Sequence, residues 1–302
     1  MGSASPPTGA APGLPPGFEA LIDDAAVFPP GNAPMRAAVA AHLARRDATY
    51  AALVGRFLCP ASRLGELEAA HPPGSPRLEL GLIADTGPAG LPEAIRAVER
   101  SARLTLAQVE IPIPPGADLE AAARVAVSLL PDVEGYVELP IRPGAGTGAG
   151  PVGDWRQALR VLADSRFGAK LRTGGLAASA FPTVDDVARF VVACVAAEVP
   201  FKCTGGLHHA LAHTDPATGF AHHGFLNLLL AAYTATQGGD VADCARVLAE
   251  REAAPVLARL DAAGDVGVVV ARSFFLSFGS CSIEEPVADL VALGLLEPGD
   301  AA

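Results

Sequence analysis

Two lysines are the first candidates for chemistry. Lys170 lies in GAKLRTGG and Lys202 in VPFKCTGG, each inside an apolar, strand-like run that ends in a glycine pair. A lysine in such a run has few routes to solvent. It is either an ion-pair partner inside the fold or an amine kept for reaction. Two ammonium groups near each other disfavour double protonation, so one amine can be neutral and attack a carbonyl. On this reading the pKa of Lys170 is expected to fall to ~7–8. Glu110 and Glu138 close two successive strand-like runs with the same pattern, VEIP and VELP. They would either relay protons to and from a substrate or neutralise the cations. Arg56 and Arg172 are unusual in strands and suit recognition of a carboxylate or phosphate. Five of the seven histidines, His208, His209, His213, His222 and His223, fall in one segment. His208 and His209 would contact substrate or move protons. Alternatively His208, His209, His222 and His223 would hold a divalent metal such as zinc, with Glu110 or Glu138 as the carboxylate ligand. No HExxH or zinc-finger spacing accompanies them.

Residues 168–209 resemble the deoxyribose-phosphate aldolase family of class I aldolases. The KTSTG strand of that family is matched by Lys170-Leu171-Arg172-Thr173-Gly174, and its FKx(A/S)GG strand by Phe201-Lys202-Cys203-Thr204-Gly205-Gly206. Thr183-Val184-Asp185-Asp186 matches the opening of its intervening helix, and Phe278-Gly279-Ser280-Cys281-Ser282 its small-residue, phosphate-holding turn FGASS. The resemblance implies a (β/α)8 barrel, a Schiff base on Lys170 and a perturbing charge on Lys202. It also implies substrate contacts at Gly205, Gly206, Ser280 and Ser282. Backbone N–H groups at a glycine/serine turn before a helix can hold an anion. Glu110 stands where the family has an aspartate, one methylene longer, and His208 stands where it has an arginine.

The elements that would position these residues alternate along the chain. Apolar strands are expected at Phe18–Phe28, Ala52–Cys59, Leu78–Asp85, Leu104–Ile113 and Val133–Ile141, around Lys170 and Lys202, and at Ser273–Ser282. Asp23, Asp24 and Asp85 near strand ends read as turn residues or charge balance. Helices fall between the strands, and Asp154 caps one after a Gly/Pro loop at 143–153. Thr183 and Asp186 have capping-box spacing. Strand–helix alternation is the signal of a parallel sheet. The fold class expected is α/β, a single (β/α)8 barrel over residues 18–302 with an enlarged region after strand seven. Residues 210–265 would form an extra helical layer and a lid. Residues 1–17 are expected to be a disordered tail.

Composition narrows the function classes. A net charge of −11 argues against nucleic acid or an acidic membrane surface as partner. No apolar run reaches the ~20 residues needed to span a bilayer. Residues 1–17 lack the basic and apolar regions of a secretory signal. The five cysteines form no CxxC pair, which fits a reduced, cytoplasmic protein. The expected function is therefore a class I aldolase-like lyase without cofactor, acting on a small anionic carbonyl compound or phosphorylated metabolite, with a homo-oligomer allowed. The alternatives are a metal-dependent hydrolase or isomerase built on the histidine loop, or a non-catalytic barrel that binds a small acid.

Overall fold

A computed structural model describes residues 14–114, 116–141 and 154–297. Residues 1–13 of the expected tail and all of the expected 143–153 loop lie outside them. The first half of the barrel comprises β1 (Ile22–Asp24), α1 (Met35–Ala44), β2 (Val54–Pro60), α2 (Leu64–Ala70), β3 (Leu78–Ile83), α3 (Gly87–Arg100), β4 (Leu104–Pro112) and α4 (Leu119–Leu129). The second half continues with β5 (Glu134–Glu138), α5 (Trp155–Ala163), β6 (Gly168–Arg172), α6 (Val184–Ala196) and β7 (Phe201–Thr204). A two-residue antiparallel hairpin follows, β8 (His213–Thr214) with β9 (Ala221–His222). The chain then forms α7 (Phe225–Thr236), α8 (Val241–Leu248), α9 (Ala253–Arg272), β10 (Phe275–Ser280) and α10 (Glu284–Ala292).

Eight strands close into a barrel in the order β1-β10-β7-β6-β5-β4-β3-β2, and every neighbouring pair is parallel. The protein is an α/β (β/α)8 barrel. Its strands are shorter than the apolar runs that announce them. The run from Phe18 yields only Ile22–Asp24, because Ala20 adopts φ 49° and the chain turns there. Residues 14–17 pack on the underside: Leu14 touches the core, and Arg272 Nε donates to the Gly17 carbonyl at 2.6 Å.

The helices follow from local chemistry. On α6, the Thr183 hydroxyl accepts from the Asp186 N–H while Asp186 accepts from the Thr183 N–H, a reciprocal cap. Its apolar stripe, Val187, Phe190, Val191 and Cys194, is buried, with Phe190 edge-on to Phe201 of β7 at 5.4 Å. The region after β7 is enlarged by three helices. Helix α7 is apolar all round and almost wholly buried among α6, α8, α9 and β10. Helix α9 begins within the expected 210–265 helical layer and runs past it to Arg272; Gly264 interrupts it with φ 61°. Among the described residues no helix is long and apolar enough to cross a membrane.

Candidate active site

Alternation along the strands turns Asp23, Gln108, Glu110, Tyr136, Glu138, Lys170, Arg172, Lys202 and Ser277 into the barrel axis. They form two tiers. In the lower tier Lys202 is fully buried and lies 2.6 Å from both Asp23 Oδ2 and Glu110 Oε1. Its Nζ also lies 5.4 Å from the centroid of the Tyr136 ring. Asp23 accepts further bonds from Ser277 Oγ and from the Arg56 N–H, both at 2.8 Å. In the upper tier Lys170 Nζ is 2.5 Å from Glu110 Oε2 and 2.9 Å from Glu138 Oε2. Arg172 Nε donates to Glu138 Oε1 at 3.0 Å. Glu110 bridges the tiers and accepts from Gln108 Nε2 at 2.7 Å. Three carboxylates thus face three cations, and buried charge is tolerated on that condition.

The electrostatics reverse one expectation. Burial alone would push Lys170 down, but the Glu110 and Glu138 carboxylates outweigh it and raise the lysine above its ordinary value. Arg172 also pulls the lysine down and is outweighed, and Glu110 stands between the two lysines. Burial likewise opposes ionisation of the carboxyls. Lys170 and Lys202 still hold Glu110 low, Lys202 holds Asp23 low, and Lys170 with Arg172 takes Glu138 down to about 2.

Above the upper tier opens a cavity of about 1100 Å³. Glu110 and Lys170 form its floor and half-exposed Arg172 lines it nearer the mouth; Lys202 is not on its surface. Gly205 and Gly206 line one wall with φ of +81° and +73°. Thr173 Oγ1 donates to the Gly205 carbonyl at 2.6 Å, which joins the turns after β6 and β7. The β8–β9 hairpin covers part of the mouth, with His213, Asp215, Phe220 and His222 on the cavity wall. Part of the segment between β7 and α7 thus lies against the cavity.

Three expectations are corrected. Arg56 sits near the start of β2, pairs with Glu134 at the start of β5 and lines no part of the cavity, so it is not a substrate contact. The four histidines do not converge as metal ligands. His208 engages Glu285 and Cys281, His209 engages Asp289, His222 Nδ1 meets the Gly206 carbonyl, and His223 is buried against the Pro182 carbonyl. Among the described residues no group of three or more His, Cys, Asp or Glu could hold a metal ion. Ser280 is buried, with its hydroxyl bonded to the Ser282 carbonyl, and lies off the cavity; Ser282 is on it.

Three residues matter here that the sequence does not assign to the site. Asp23 reads as a turn or charge-balance residue, although its neighbour Ile22 and the apolar run set it in a strand. Tyr136 gives no signal beyond its strand. Cys281 reads as part of a small-residue turn. Comparison of the chain with family models, with curated proteins and with solved structures gives no match, so the site stands on its geometry.

Proposed function

We propose that the protein is a class I aldolase-like lyase, in which Lys170 forms an imine with a small anionic carbonyl compound. The observation that carries this reading is the position of Lys170. It is the lysine on the cavity floor, flanked by two carboxylates at 2.5 and 2.9 Å. Its ground state is the ammonium form, so reaction starts with loss of a proton to solvent through Glu138 or Glu110. The free amine adds to the carbonyl carbon, and the carbinolamine loses water as a carboxylic acid returns the proton to its oxygen. The imine then accepts the electron pair of an adjacent carbon–carbon bond as it breaks. Arg172, with its side chain half exposed at the mouth, is placed to meet the anionic end of the substrate. Lys202 keeps Glu110 in register from below. The likeness of residues 168–209 to the deoxyribose-phosphate aldolase family supports the same assignment.

Borohydride reduction in the presence of small aldehydes and keto acids, with mass mapping, tests it. The expected result is one reduced adduct on Lys170, lost in Lys170→Arg while the fold persists. Because the lysine is raised, trapping should keep accelerating as pH rises from 7 to ~10; a depressed lysine would level off near ~8. An adduct elsewhere, or turnover by Lys170→Arg, removes the reading. A second reading, a barrel that binds a small acid without turnover, is favoured by the same carboxylate-held ammonium, and predicts ligand binding without any adduct.

A further inference from the structure

Cys281 lies on the cavity wall beside Ser282, in the turn between β10 and α10. Its Sγ is 3.4 Å from His208 Nε2, and His208 Nδ1 is 2.6 Å from Glu285 Oε2. A carboxylate can only accept, so Nδ1 carries a proton and Nε2 faces the sulfur. There it either accepts from the thiol or, once protonated, donates to the thiolate. The ring stands between Cys281 and Glu285 with a different nitrogen toward each. That is the order of nucleophile, base and orienting acid, not of ligands around one ion. The other four cysteines are fully buried, and Cys281 is only partly so.

We propose that Cys281, His208 and Glu285 form a nucleophilic triad that opens on the cavity and takes acyl groups from activated esters or thioesters. This site is independent of the lysine chemistry. The Cys281 sulfur attacks the acyl carbon and a carbon–sulfur bond forms. The bond from that carbon to the leaving oxygen or sulfur breaks, and His208 Nε2 gives the leaving group its proton. Water, deprotonated at the same nitrogen, then adds to the thioester, releasing a carboxylic acid and the free thiol. Glu285 is a positioning residue that fixes the ring. His208 is raised to about 9, first by its bond with Cys281 and then by Glu285, which keeps the ring a proton donor beside the sulfur. The nearby charges leave this arrangement intact. Glu284, next to Glu285 on α10, turns to Arg45, and His209 turns to Asp289.

The test treats the full chain with p-nitrophenyl acetate, follows p-nitrophenolate release and maps the acetyl group by mass spectrometry. Acetyl on Cys281, release abolished in Cys281→Ala, and release slowed by about a hundredfold in His208→Asn are the expected results. Iodoacetamide provides the second measurement, because it needs the thiolate but no acyl transfer. Cys281 should alkylate first, and His208→Asn should slow that alkylation. Acetyl on a lysine or another cysteine, a Cys281 that alkylates no faster than the buried cysteines, or a folded His208→Asn variant that reacts as the parent does would each overturn the proposal.

Discussion

Lys202 is held entirely by protein, with two carboxylates and an aromatic face around its ammonium group. Replacing it by Met keeps the bulk but removes the ion-pair partner of buried Asp23 and leaves Glu110 with Lys170 alone. Breaking such a pair costs about 3–5 kcal/mol. Lys202→Met should therefore lower the unfolding free energy by that amount, read as a lower guanidinium midpoint with an unchanged slope, whereas Arg172→Met, at the half-exposed rim, should cost far less. The pH limits follow from two groups. Glu138 is depressed to about 2, so its contribution is present above the ordinary carboxylate range and is lost as pH falls through about 2. His208 is raised to about 9, so its contribution is complete below about 6.5 and is lost as pH rises through about 9. In Glu285→Gln the NMR titration midpoint of His208 should move down from about 9 toward that of an ordinary histidine. Lys170, Lys202, Glu110 and Glu138 were legible in the sequence, because charges inside apolar strands must meet one another. Arg56 was not. Alternation shows that a residue faces inward, but not its height in the barrel, and height decides whether it meets substrate or the base.

At the scale of elements, the capping box of α6 and the glycine turns were legible because both depend on neighbours in sequence. The β8–β9 hairpin was not, since two-residue strands carry no period. Helix α9 hid behind Gly264, which breaks its pattern. The glycine turn after β7 sets the wall of the cavity. A Cβ on Gly205 would lie 2.6 Å from the Gly174 carbonyl oxygen, at a φ of +81°. Gly205→Ala should cost about 1–3 kcal/mol and push the β6 and β7 turns apart. The accompanying loss of the Thr173–Gly205 bond should slow imine trapping on Lys170 with the lysine itself untouched; equal trapping rates in parent and variant would show that the turn has no part in the site.

At the scale of the whole molecule, eight parallel strands were legible from alternation alone, because each strand–helix pair buries its face only against the next. What alternation could not show is how the ring closes. Strand β1 pairs with β10, Asp23 accepts from Ser277 at a separation of 254 residues, and Arg272 bonds the Gly17 carbonyl from below. A chain stopped at Arg272 lacks both the closing strand and one of the donors to Asp23. It should show no cooperative unfolding transition and rapid proteolysis, while the full chain shows a single transition. The same closure sets a timetable for biosynthesis. At ~5–20 residues per second, roughly 13–50 s pass between synthesis of Asp23 and of Ser277. Through that interval β1 waits near the ribosome with no partner on one edge, and Asp23 awaits first Lys202 and then Ser277. The charge centre is thus completed among the last steps of translation, and a nascent chain arrested before β10 emerges is a natural client for a chaperone that shields an open sheet edge.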